Sequence, residues 1–199
     1  MSERYWKESE KLIKRIEGFD RYIGVTGFKN VKVENVERFL DNVRKKTENV
    51  SVQFFNAKLI AGPEHLYFAA LNALKAFESN LNISKSLAVE TLLYASAQRQ
   101  IRKAVELLGI KAGSSKIAML VLDETEAKVH AILEDISGFI QGVRDDNVIE
   151  LSDEKIEKIK ELFGISELEL AAKLEKKGFE KEALINLVLE HMALLAIEH

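Results

Sequence analysis

The run Lys116-Ile117-Ala118-Met119-Leu120-Val121-Leu122 decides the fold. Its unbroken apolar residues leave no polar face, the pattern of a strand covered on both sides at the centre of a sheet. Upstream, residues 19–28 have the β-branched and aromatic content of a second strand, with Gly24 and Gly27 read as a bulge or turn. Residues 50–60 alternate well enough for a third, placing Val52 and Phe54 on one side. Helical segments fill the long gaps between these strands. The class is therefore α+β: a small mixed or antiparallel sheet covered by helices, with a helical C-terminal region.

The helices announce themselves by spacing and by caps. Residues 3–17 read as a charged surface helix stopped by Gly18. Val36, Phe39, Leu40 and Val43 recur at helical spacing to about Lys46. Gly62-Pro63-Glu64 starts a helix to about Ser79, because proline's missing N–H costs nothing at the first helical position. Asn82 or Ser84 is a candidate cap for a helix ending at Ala95, and Ser96 for one over residues 97–108. In the latter, Ile101, Ala104, Val105 and Leu108 would face the core, with Gly109 as a left-handed C-terminal stop. Asp123 with Glu126 resembles a capping box opening a helix to about residue 141. Helices at 153–163, 167–177 and 179–197 follow, the last rich in leucine. The expected organisation is a helical extension at 1–17 and one α+β domain at 18–199. The core of that domain runs to about 142, and its helical C-terminal part starts at about 143.

Composition bounds the function. Apolar residues make up 47% of 199 positions, enough for a substantial core, and 31% charged residues argue against disorder. The longest apolar stretches fall far short of a membrane span, and the charged N-terminus lacks the apolar run of a secretory signal. Without cysteine there is no disulfide, thiolate metal site or thiol nucleophile, so a cytoplasmic protein is expected. No cysteine, one proline and abundant Glu and Lys fit a thermophilic source. The net charge of −3 is unevenly spread: residues 82–117 carry six basic and two acidic side chains, whereas 118–199 carry nine and 19. Such clustering, rather than bulk charge, governs attraction of a polyanion.

Catalytic patterns are missing. Gly24 and Gly27 lack the spacing and following Lys-Ser/Thr of a phosphate loop. His65, His130, His191 and His199 are isolated, without metal-ligand spacing. No serine lies in a Gly-x-Ser-x-Gly elbow, and Asp145-Asp146 falls in a polar connection expected to face water. Neither a catalytic residue, a metal site nor a cofactor is nominated.

Residues 82–103 remain. Two helix starts here offer N–H groups and partial positive charge, which favour anions. Lys85 flanks the first; Arg99, Arg102 and Lys103 flank the second, and Gln98 and Gln100 add amide donors and acceptors. A plain helical hairpin with a solvated charged face is the competing reading. Glu90, a carboxylate on an otherwise apolar helix, needs a partner, and Arg99 or Arg102 is the nearest candidate in sequence.

Several runs in this chain carry a family likeness. They are Asn56-Ala57-Lys58-Leu59-Ile60 with Glu64-His65-Leu66, and Asn82-Ile83-Ser84-Lys85-Ser86-Leu87. Next come Leu92-Leu93-Tyr94-Ala95-Ser96-Ala97-Gln98-Arg99-Gln100-Ile101 with Ala104 and Gly109, then Leu187-Val188-Leu189-Glu190 with Ala193-Leu194-Leu195. In order and spacing they resemble the small kinase-binding accessory subunit of the KEOPS complex, the TPRKB-like family, over about 18–122 and 180–197. The resemblance implies a non-catalytic subunit that binds the N-terminal lobe of the complex's kinase-like ATPase. That complex makes N6-threonylcarbamoyladenosine in transfer RNA, and the subunit would grip the tRNA's single-stranded CCA 3′ end. Matching positions carry over Asn82, Ser84, Lys85, Ser86, Arg99 and Gln100 as tRNA contacts, with Ile83 packing on the terminal base and Arg102 beside them. Leu187, Met192 and Leu195 are candidates for the kinase surface. No membrane and no DNA partner is implied. The rival is a protein–protein adaptor that regulates a kinase without touching RNA. Two departures stand out: residues 1–17 precede the family's expected start, and 130–180 is longer and more acidic than expected.

Overall fold

The computed structural model describes residues 13–197 other than 175 and 177. Most of the helix expected over 3–17 lies outside the described residues. Its tail, Ile13–Arg15, is a short strand, β1. It pairs antiparallel with β2 (Tyr22–Lys29), which pairs with β4 (Lys116–Asp123), which pairs with β3 (Ser51–Asn56). The sheet order is thus β1-β2-β4-β3, and a two-residue strand β5 (Val143–Arg144) joins the free edge of β2. Every pairing is antiparallel.

Eight helices among the described residues surround the sheet: α1 (Val36–Lys46), α2 (Pro63–Glu78), α3 (Leu87–Ala95), α4 (Ile101–Leu108), α5 (Glu126–Phe139), α6 (Asp153–Phe163), α7 (Glu167–Lys173) and α8 (Glu180–Ile197). None is long and apolar enough to cross a membrane. Side chains alternate across the sheet. Ile23, Val25, Phe55, Ala118, Leu120 and Leu122 point into the larger core with α2, α3, α6 and α8. Phe28, Phe54, Ile117, Met119 and Val121 point into a second core with Val43 of α1 and Val129, Leu133 and Ile136 of α5. This layering explains the unbroken apolar run of β4, whose two faces are both covered.

Several local expectations change. Gly24 and Gly27 sit in an unbroken register from Tyr22 opposite Asp123 to Lys29 opposite Lys116, so neither is a bulge. They are close-approach points: a Cβ on Gly24 would lie 2.6 Å from Val129, and one on Gly27 2.5 Å from Val148. Asp123 ends β4, and Thr125 caps α5 instead. Gly109 is extended (φ −65°) rather than left-handed, its N–H donating to the Val105 carbonyl. The Asp145-Asp146 pair is structural. Asp146 accepts from the Thr26 hydroxyl (2.7 Å) and the Gly27 N–H (2.9 Å), and Asp145 pairs with Lys29 at 2.7 Å.

Two buried polar side chains bind the layers together. Lys155 of α6 donates from Nζ to the carbonyls of Ile60, Val148 and Ile149 at 3.1, 2.7 and 3.1 Å. Burial pushes its pKa down to about 8, although the Glu150 charge opposes that fall. His65 is fully buried at the start of α2. Its Nδ1 accepts from the Ala61 N–H, so the proton sits on Nε2, which donates to the Ala95 carbonyl at 2.7 Å. Burial pushes its pKa down to about 4, and the Ala95 hydrogen bond only partly offsets this.

Candidate nucleic-acid interface

The strip begins with a loop, residues 82–86, held from below by Glu90. That carboxylate is 1% exposed on α3 and accepts from the N–H groups of Ile83 (3.2 Å) and Ser84 (2.7 Å). Two backbone donors thus meet the buried carboxylate and tie the loop to α3. Asn82 is half-buried and donates from Nδ2 to the Ser84 carbonyl. The helix cap is Ser86, not Asn82 or Ser84: its hydroxyl accepts from the Val89 N–H. Ser84 is buried, its hydroxyl accepting from the Ser86 N–H, so as a direct RNA contact it is withdrawn. Ile83, Lys85 and Ser86 are exposed.

The second half is shaped by how α3 ends. Ser96, expected to cap the next helix, instead finishes α3 and is buried, its hydroxyl within reach of the Leu92 and Leu93 carbonyls. Ala97 then takes the left-handed conformation (φ 49°), with its N–H donating to the Tyr94 carbonyl and that of Gln98 to the Leu93 carbonyl. This is a Schellman ending with alanine where glycine is usual, at a cost of roughly 1 kcal/mol. The strained turn sends residues 98–100 out of the helix, so α4 starts at Ile101 rather than at residue 97.

Gln100 occupies the N-cap position of α4 but makes no capping hydrogen bond. The N–H groups of Ile101, Arg102 and Lys103 thus have no acceptor within their helix. No acidic side chain stands in the first turn, and Arg99, Gln100, Arg102 and Lys103 are all exposed. Cations at the positive end of a helix oppose its dipole, so an anion would be favoured at this start. Acids of the C-terminal half pair partly within it, Lys181 with Asp153, Lys173 with Glu190, and Lys160 with Glu157 and Glu167, and partly with Arg21, Lys29 and Lys46. Among the described residues, none of its carboxylates pairs with Lys85, Arg102 or Lys103.

The strip is not purely polar. Ile101 and Val105, expected to face the core, are exposed, as are Leu81 and Ile83. Ala104 and Leu108 take the core positions of α4. Apolar residues on both faces of α4 left its buried face undecided in sequence. Conversely Leu187, Met192 and Leu195, expected at a partner surface, are buried in the larger core. The apolar residues turned outward at that end are Leu168 of α7, 80% exposed, and Leu194 of α8.

The family description "kinase binding protein CGI-121" matches residues 28–196, which spans most of the sheet, the strip and α8. The chain belongs to the CGI-121 family. The regulatory protein Cgi121 of Methanocaldococcus jannaschii is 33% identical over 135 residues, covering 68% of this chain and 83% of that protein. The CGI-121 match also runs across the acidic 130–180 region. The resemblance read over about 18–122 and 180–197 is borne out at the level of the family.

Proposed function

We propose that this protein is a non-catalytic docking subunit of a KEOPS-type assembly, binding a small kinase and holding the single-stranded 3′ end of a transfer RNA. The observation that carries the RNA half is the open, cationic start of α4. Three N–H groups without a helical acceptor stand among Arg99, Gln100, Arg102 and Lys103, and the Glu90-braced loop adds Lys85. Phosphates favour that combination, while exposed Ile83 and Ile101 offer surfaces on which unstacked bases can pack. Asn82 contributes by stiffening the loop, and Ser86 by presenting its exposed edge.

The kinase half rests on the names of the family and of the M. jannaschii relative. The outward face of α7 and α8, with Leu168 and Leu194, is its proposed docking surface. The deciding measurement is binding to matched tRNAs with and without the terminal CCA. Removal of CCA should abolish binding. Equal affinity for both tRNAs, or none for either alongside retained co-elution with the kinase, would leave an adaptor that does not handle RNA.

A further inference from the structure

Strand β3 lies at an edge of the sheet, and among the described residues no strand pairs with its open side. In β2 the Gly27 N–H and carbonyl bond Asp146 and Asp145, away from β4, so the even-numbered residues of β2 face β4. Carried through the registers, Ser51, Gln53 and Phe55 bond β4, whereas Val52 and Phe54 turn their N–H and carbonyl groups outward. The Gln53 amide donating to the Phe54 carbonyl at 2.8 Å agrees with that parity. Edge strands are normally protected by lysine, proline or a bulge. Ser51-Val52-Gln53-Phe54-Phe55-Asn56 has none of these, only one removable side-chain amide.

This edge opens into a groove of about 440 Å3 between α1 on one side and α3 and α4 on the other. Leu40, Val43, Val89, Val105 and Ile110 line it. Its charged lining residues are Arg44, which holds Asp41 at 2.8 Å, and Glu48. Because helices rise on both sides, one extended chain fits against the edge, whereas a second sheet with its own helices does not. The rim carries both signs: exposed Lys85 and Lys111 adjoin lining residues Ser86 and Ile110, and exposed Glu37 and Glu106 adjoin Val36 and Val105.

We infer that β3 accepts an extended segment of a protein partner as an added strand, apolar at alternating positions. Outward N–H and carbonyl groups supply the ladder, and the groove takes every second side chain. The site is separate from the RNA-holding role, although Ser86 and α4 border both.

The test is a displayed library of random seven-residue peptides panned on the full chain, followed by amide NMR of the chain with the best synthetic peptide. Expected are alternating apolar peptides, perturbing the Val52 and Phe54 amides. Affinity should drop at least tenfold in Val52→Pro, which deletes an outward N–H without touching the ladder, and in Val105→Lys, an exposed position whose change spares folding. Val52→Pro, which lies outside the RNA strip, should not weaken tRNA binding. The inference is overturned by a library that enriches nothing, or by peptides indifferent to both substitutions. It is equally overturned if sedimentation shows a dimer sealed through this edge, or if a CCA trinucleotide shifts the Val52 and Phe54 amides.

Discussion

Reversing the charges of Lys85 and Arg102 tests the RNA strip most directly. Both side chains are exposed and neither is paired among the described residues, so the double variant Lys85→Glu, Arg102→Glu should keep its fold and its unfolding temperature. Four cations flank the two helix starts: Lys85, Arg99, Arg102 and Lys103. With about 0.7 counterions released per phosphate contact on a single strand, four contacts give a log–log salt slope of about −2.8, or about fiftyfold weaker binding between 50 and 200 mM salt. Two contacts leave a slope of about −1.4, or about sevenfold over the same range. At low salt the loss of two charge-assisted contacts at about 1.5 kcal/mol each costs about a hundredfold. Fluorescence anisotropy with a labelled tRNA across a salt series reads both quantities. If affinity and slope match those of the unaltered chain, the strip is not where phosphates bind.

Three other outcomes follow from the same geometry. Gln100→Asp installs the missing cap on α4 and should raise stability by about 1 kcal/mol while weakening tRNA binding; a melting temperature that does not rise would contradict the open start. His65 is held neutral below its ordinary pKa, so the unfolded chain takes up its proton first as pH falls. The associated stability is complete above about pH 6.5 and is lost toward pH 4, a change of about 3 kcal/mol that denaturant titrations should find missing in His65→Leu. Lys155→Met leaves the carbonyls of Ile60, Val148 and Ile149 without their donor and should destabilise by about 3 kcal/mol; an unchanged denaturation midpoint would refute the clasp.

Much of this protein is decided by near neighbours in sequence. The bounds of α1 and α6 and the start of α2 follow from apolar spacing and from Pro63, because a helix reports its 3.6-residue period and its caps within a few positions. Strand β4 is legible because burial on both faces removes every polar residue. So is the basic strip, since lysine and arginine at chain turns stay in water whatever the fold does.

What the tertiary structure alone decided is the set of partners brought from far along the chain. Asp146 looked like a solvated acid until β5 carried it 120 residues back to Thr26. Nothing near Lys155 in sequence points to the carbonyl 95 residues away that it meets, and Leu187, Met192 and Leu195, candidates for the kinase surface, are covered where α2 and α3 pack on α8. Even within the strip, Ser84 and Ile101 exchanged places between surface and interior, because eight residues of α4 carry apolar groups on both sides and only packing against α3 selects one. Local pattern sets which elements exist. Which buried charge is satisfied, and which apolar face is left over, depends on contacts whose free energy appears only when distant segments meet.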